Sequence, residues 1–430
     1  MTSASSSAVS SGAGSLSVTP DGIVIRRLTP DDDLAPDLRL AHQAFGPFGS
    51  GEADRRLAGA RLSVADGRHL GAFSGGTLLG SARYLDMRQW WRGRSLPMAG
   101  VAGVKVAPHA QGRGLGTALT SALLAEMAGR GYPLSVLYPL TAPVYRALGW
   151  EMAGGLTEAT VPARSLRTLV PPDPALAEEL ADDPAAGPGV GGFRPAGPAD
   201  AAAMISLLSR LYEDGRGCGP VTFDVPQLTW MLDQDAIYLY LAPDGALGYR
   251  WDQGQKEVLV YCAAAGSAAT ARAMWSIISS HGTVVSGVRA FVSPSDPLTW
   301  LTREADVTLT TDERWMLRLL DAPAAIAGRG YPAHAAVTAA LTVSDPQLPA
   351  NSGDWRLEIS GGDAALTRAS AGASRSPAAL RLGARGLAAL YAGTPLSTLR
   401  RAGLAAGGTP GTDAALDDAF AATPWMTDFF

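Results

Sequence analysis

The stretch VAGVKVAPHAQGRGLGT, residues 101–117, decides how this chain is read. Its first half is a β-like apolar run that Pro108 stops, and from Leu115 the residues Leu115, Ala118, Leu119, Ala122 and Leu123 fall on one helical face. Between strand and helix stands Gln111-Gly112-Arg113-Gly114-Leu115-Gly116. Glycines there let the backbone come close to a ligand, and the unpaired amides of the helix start point outward, which makes an anion cradle suited to a pyrophosphate. A plain strand-to-helix turn uses glycines in the same way, so the context has to choose. A dinucleotide fingerprint puts G-x-G-x-x-G after the first strand of a βαβ unit. Here several antiparallel-looking strands come first, the spacing is Q-x-x-G-x-G, and no Walker lysine follows. Neither a dinucleotide nor ATP fits best.

Working outward, GIVIRRLTPDD from Gly22 reads as a strand and turn, with Asp31 to Asp33 placed to cap a helix around Leu38 to Phe45. Gly75-Gly76 joins two β-like runs as a hairpin. After the decisive stretch, PLSVLYP is a short buried strand and TAPVYRALGW a short helix with Pro143 in its first turn. The composition then turns to Pro, Gly and acid over 166–191, a linker. From Gly192 the order of elements partly recurs, which suggests a duplicated domain over 192–311. The last part, 312–430, alternates strands and helices as a separate α+β domain. Residues 1–20, rich in Ser, Ala and Gly, read as a disordered tail with no signal-peptide character.

Composition narrows the classes. At roughly 150 residues per domain, 430 residues hold two or three domains, and 47% apolar residues are enough to build cores. No uninterrupted apolar run approaches the roughly 18 residues of a membrane span. A net charge of −5 with scattered basic residues gives no nucleic-acid footprint. Two cysteines, Cys218 and Cys262, make no disulfide framework, and five dispersed histidines offer no metal-ligand spacing. The expectation is a cytoplasmic protein without a metal.

The pattern V-x-V-x-P-x-x-Q-x-x-G-x-G, here Val104, Val106, Pro108, Gln111, Gly114 and Gly116, resembles the acetyl-CoA signature of GCN5-related N-acetyltransferases (GNATs). With LYPLTAPVYRALGWE at 137–151, two tandem halves and a terminal phenylalanine, the chain is similar to the enhanced intracellular survival (Eis) family. The resemblance implies an α+β protein: a catalytic GNAT-like domain over 21–165, a degenerate one over 192–311 and a sterol-carrier-protein-like α+β domain over 312–430. It also implies a homohexamer.

Carried over residue by residue, the resemblance places the pantetheine arm of acetyl-CoA along Val104, Lys105 and Val106. The pyrophosphate falls on Gly112, Arg113, Gly114, Leu115, Gly116 and Thr117, and the acyl end near Leu140 and Thr141. Tyr145 takes the general-acid position and the terminal carboxylate of Phe430 the general-base position, with Glu151 and Asp428 as other carboxylates. Where the family often has consecutive arginines, this chain has Gln111-Gly112-Arg113, which leaves Arg113 to meet the phosphates. The second half has Ala263-Ala264-Ala265-Gly266-Ser267 at its own loop and is not expected to bind the cofactor.

The chemistry agrees with these positions. A tyrosine of pKa about 10 can return a proton to a thiolate of about 8.5. Burial raises the pKa of a carboxylate that is otherwise too weak a base. Phe45, Phe48, Trp90 and Trp91 are candidates for an aromatic pocket around a cationic amine, although a hydrophobic seam explains them equally. The expected reaction is direct acetyl transfer to a primary amine of an aminoglycoside, a polyamine or a lysine side chain. The alternatives are a non-catalytic acyl-CoA or lipid binding protein, or an enzyme with another acyl donor.

Overall fold

The computed structural model describes residues 15–19, 21–47, 49, 51–176, 192–233, 237–252, 254, 256–369, 378–428 and 430. The chain forms two compact bodies, residues 1–85 with 101–130, and residues 86–100 with 131–430.

In the first body, strands β1 (Ser15–Val18), β2 (Val24–Arg27), β3 (His69–Ser74) and the start of β4 (Thr77–Trp91) pair antiparallel in that order. The end of β5 (Arg94–Val106) belongs here too, with helices α1 (Ala35–Phe45), α2 (Glu52–Ala65) and α3 (Leu115–Gly129). The hairpin between β3 and β4 turns on Gly75 and Gly76, both at positive φ, as its two-residue loop requires. Ser15–Val18 was expected in the disordered tail but forms an edge strand on β2. A short polar run beside a strand with free edge groups gains a ladder of hydrogen bonds, which composition does not reveal.

The sheet's two faces are distinct. An ideal Cβ on Gly80 would meet Leu119 of α3 and the Val106 side chain, so those side chains lie on the α3 face. One residue further along β4, the Ser81 hydroxyl donates to Asp37 of α1. Alternation along the strand therefore sends Lys105, between Val104 and Val106, to the α1 face.

In the second body, β6 (Leu134–Leu137) pairs parallel with β5 over Met98–Gly100, and α4 (Ala142–Ala147) leads to β7 (Glu151–Pro162). The repeated half contributes β8 (Arg194–Ala196), β9 (Cys218–Phe223), β10 (Tyr238–Ala242), β11 (Gly245–Asp252), β12 (Glu257–Ala265) and β13 (Gly287–Phe291). Strand β14 (Thr308–Leu319) then inserts between β6 and β7 and pairs antiparallel with both. The expected domain start at residue 312 falls inside this strand. Leu169 bridges to Thr302, which ties the start of the expected linker to the second half, while 177–191 lie outside the described residues.

A five-stranded sheet follows, with β15 (Val337–Ser344), β16 (Gly353–Ser360), β17 (Asp363–Arg368), β18 (Leu380–Gly383) and β19 (Ala405–Gly407) in the order β17-β16-β15-β18-β19. Ala339, Leu341, Val343, Trp355, Leu357 and Ile359 point inward in alternation, while Arg356 and Glu358 face solvent. Helices Ala384–Tyr391 and Pro410–Phe420 cover the inner face. The chain ends on β20 (Trp425–Met426), parallel to β7.

A buried ion pair joins this last sheet to β14. Arg318 Nη2 lies 2.6 Å from Asp345 Oδ1, with both side chains 1% exposed. The guanidinium also donates to the carbonyls of Leu148 and Leu319, and Asn351 donates to the other Asp345 oxygen. Losing Arg318 would strand a sealed carboxylate. Arg318→Met is expected to destabilise the protein by about 3–5 kcal/mol, read as a drop in denaturation midpoint. Arg318→Met with Asp345→Leu is expected to recover much of it.

Candidate active site

In the first body, β5 runs into the glycine turn. Gly103 has φ +61 and sets the strand's course before Val104 and Val106, both half-buried. Gly112 (φ +76) and Gly114 (φ +74) occupy the left-handed region, with nothing within 4 Å of where a Cβ would stand. That conformation and that open space are what close backbone approach needs. Gly114 caps α3 without a side-chain hydrogen bond, so the first-turn amides at Leu115, Gly116 and Thr117 have no side-chain cap. Arg113 is exposed and pairs with Asp21 at 3.1 Å. Lys105 offers the α3 face only its backbone, since its side chain is buried on the other face.

The repeated half closes the equivalent turn. Helix Ala268–Ser279 is capped by Ser267, whose hydroxyl accepts from the Thr270 amide at 3.2 Å. Thr270 Oγ1 donates to the Asp244 carboxylate at 2.5 Å, and the Gly266 amide to the Asp244 carbonyl at 2.8 Å. A self-capped helix start with a carboxylate beside it repels a phosphate.

In the second body, Pro143 opens α4 and Tyr145 sits on its buried side, 8% exposed. The Tyr145 ring meets Trp150 edge-on at 6.3 Å, and its carbonyl accepts from the Leu148 and Trp150 amides. Burial pushes the Tyr145 hydroxyl above its ordinary pKa, so it stays protonated at neutral pH. Among the described residues it has no side-chain hydrogen-bond partner. Leu140 is 81% exposed, and Thr141 is exposed as the residue before α4.

The chain end packs in the same body. The Phe430 ring lies edge-on to Tyr138 at 5.7 Å. A Cβ on Gly100 would come within 2.7 Å of the Phe430 ring and of the Met87 sulfur, so only glycine leaves room. The Tyr138 hydroxyl donates to the Asp428 carbonyl at 3.0 Å. Burial raises the Asp428 carboxyl to about 7, against the Thr427 hydroxyl that it accepts. Glu151 is held the other way. Burial pushes it up, but the Met152 amide, Arg385 and Arg146 outweigh that and keep it ionised. Glu151 is therefore a fixed anion, whereas Asp428 is poised near neutrality.

The four aromatic candidates part company. Trp91 is fully buried, edge-on to Tyr391 at 4.8 Å and 5.2 Å from the Arg329 guanidinium, so it belongs to the seam and presents no face to a substrate. Trp90 is 6% exposed against Tyr212. Phe45 ends α1 and is 38% exposed, and Phe48 lies outside the described residues. Sequence reasoning missed Gly100, Tyr138 and the Asp37–Lys105 pair. Only the last left a signal, a rare lysine inside an apolar strand.

Comparison with known proteins bears on the whole chain. Models of an acetyltransferase (GNAT) domain match residues 24–153 and 226–319, and a sterol carrier protein domain matches 322–427. The chain is 30% identical over 364 residues to N-acetyltransferase Eis of Mycobacterium tuberculosis, covering 80% of this chain and 84% of the relative. A GCN5-related N-acetyltransferase from Kribbella flavida superposes with a TM-score of 0.83 at 38% identity, over 95% of this chain and 98% of that one. Eis1 from Mycobacterium abscessus shares the fold with a TM-score of 0.72 at 24% identity, over 94% and 100%.

The glycine seat gives a direct test. Overpacking costs about 1–3 kcal/mol, so Gly100→Val is expected to release the chain end. Carboxypeptidase trimming should accelerate about five- to a hundredfold, while the melting profile keeps a single transition. Unchanged trimming would mean that Phe430 is not held there.

Proposed function

The chain belongs to the Eis family of GCN5-related N-acetyltransferases, and from that premise we propose that it moves the acetyl group of acetyl-CoA to a primary amine by direct attack. The proposed acceptor is an aminoglycoside, a polyamine or a lysine side chain. One observation carries the reading most: the uncapped start of α3 after Gly112 and Gly114, set against the self-capped helix start at Ser267 in the repeated half.

In this reading Gly112 to Thr117, with Arg113, take the pyrophosphate on their amides. Val104 to Val106 take the pantetheine through backbone hydrogen bonds, as a peptide adds to a strand, and Leu140 and Thr141 meet the acyl end. The acceptor nitrogen must first lose a proton. The Phe430 carboxylate is the proposed base, directly or through a water, with Asp428 as the neighbouring carboxyl of suitable pKa. The neutral amine attacks the thioester carbonyl, and strand amides near Val104 stabilise the developing oxyanion. As the C–N bond forms and the C–S bond breaks, Tyr145 donates its proton to the leaving thiolate and later regains one from solvent. No covalent enzyme intermediate is needed. Cys262 supports this, since burial and the nearby Asp428 raise its thiol to about 12. A homohexamer in the cytoplasm completes the proposal.

Thiol release from acetyl-CoA across a panel of amines tests it. Wild type is expected to turn over, and Tyr145→Phe or removal of Phe430 to lower kcat about a hundredfold or more with the melting midpoint kept. Full activity in both variants would remove the acid and base assignments.

A further inference from the structure

Past Gly100, β5 has a neighbouring strand on one side only. Its parallel pairing with β6 covers Met98–Gly100, and from Val101 to Val106 its partner among the described residues is β4. Lys105 and Ala107 turn their backbone groups towards β4. The Ala107 amide donates to the Leu79 carbonyl at 2.8 Å, and a Cβ on Gly80 would stand 2.9 Å from the Lys105 carbonyl. By alternation, Val104 and Val106 turn theirs to the open edge, which is the edge a pantetheine arm would pair with. Gly103, at φ +61, bends the strand just before them. A bent edge without a ladder on that side keeps one geometry only if something else restrains it.

Lys105 supplies that restraint from the α1 face. Its Nζ lies 3.0 Å from Asp37 Oδ1, with the two side chains 6% and 8% exposed. Ser81 donates to the same oxygen, and His69 Nε2 stands 3.4 Å from it. One carboxylate oxygen thus ties β3, β4 and β5 to α1. Burial alone would push the Asp37 carboxyl up, but His69, Lys105 and Ser81 together hold it well below the usual range, so it is an anion. Burial lowers the Lys105 pKa, and Asp37 opposes that. The ammonium also lies by the bend, since a Cβ on Gly103 would stand 3.9 Å from Nζ. Of the 35 basic residues only Lys105 and Lys256 are lysines. A compact ammonium suits a single shared oxygen, whereas the planar fork of arginine suits a two-oxygen partner.

Stability alone does not call for such a pair. Apolar residues of similar volume would serve a core equally well, whereas an ion pair fixes direction and distance. It sits at the one strand position between the two proposed pantetheine contacts. We propose that Asp37 and Lys105 are positioning residues for acetyl-CoA: their ion pair fixes the open edge of β5, so that the Val104 and Val106 backbone groups stand ready for the pantetheine arm. This rests on the acetyltransferase reading and deepens it. Neither side chain touches the cofactor, and the glycine turn that takes the pyrophosphate is left to itself.

Two probes separate the ends of the cofactor: acetyl-CoA, which carries the pantetheine arm, and adenosine 3′,5′-bisphosphate, which does not. Calorimetry on the full chain compares wild type, Lys105→Met, Lys105→Arg and the double variant Lys105→Met with Asp37→Leu. Lys105→Met should raise the Kd of acetyl-CoA about tenfold or more and leave that of the bisphosphate unchanged. Lys105→Arg should restore part of the affinity. The double variant removes the stranded charge, so it should recover the melting midpoint and still bind acetyl-CoA weakly. Equal losses for both probes overturn the inference, as does unchanged acetyl-CoA binding in Lys105→Met. A double variant that recovers affinity along with stability overturns it too, by making the pair merely structural. If wild type binds neither probe, the acetyltransferase reading fails on its own account, and amide hydrogen exchange of the unliganded chain decides separately. The Ala107 amide should then exchange about tenfold faster in the double variant than in wild type, with the α3 amides unaltered. Equal exchange at Ala107 refutes the restraint.

Discussion

The pairing of Trp425 and Met426 with Gly155 and Leu156 of β7 is the constraint on which the second body's candidate chemistry depends. It draws the chain end into the fold, where termini are ordinarily frayed. The glycines around it show how closely it is held. Gly154, Gly155 and Gly219 line the path of the last strand, and a Cβ on Gly154 or Gly219 would collide with the backbone of Pro424 or Trp425. Tyr212 stacks edge-on against Trp425 at 6.3 Å, and Tyr138 holds the Asp428 carbonyl. With that strand fixed, the Phe430 ring reaches Gly100, four residues before Val104 along β5.

Strand β14 makes the domains of the second body interdependent. It comes after the repeated half in sequence, yet lies between β6 and β7 of the first acetyltransferase domain. Its last residues carry Arg318, whose ion pair with Asp345 reaches the final sheet. Gly149 at φ +93 leaves the Arg318 guanidinium room to reach the Leu148 carbonyl, just after the helix that presents Tyr145. A packing fault in the sterol-carrier-like domain can therefore be felt at α4.

The parts legible from sequence are those that neighbours in sequence create. The Gly75-Gly76 hairpin, the strand that Pro108 stops, the glycine turn and the helices opened by Pro143 and Leu115 all follow from local steric rules. What escaped is non-local. No local pattern tells β14 to leave its own half, and no residue near Gly100 announces that a ring from the chain end will lie against it. Trp91 has the composition of a binding-site residue, but its neighbours Tyr391 and Arg329 come from far along the chain and turn it into core. Asp37, His69 and Lys105 likewise read as isolated charges until the α1 face brings them together.

The central claim is that the acetyl carbon passes straight from sulfur to nitrogen. Carbon-13 NMR with acetyl-CoA labelled at the carbonyl, free lysine and the full chain follows that carbon directly. The account predicts that the thioester signal gives way to an amide carbonyl on the small molecule, at a rate proportional to enzyme, with no label on the protein. Label that accumulates on the protein, or that leaves only as acetate, would contradict it.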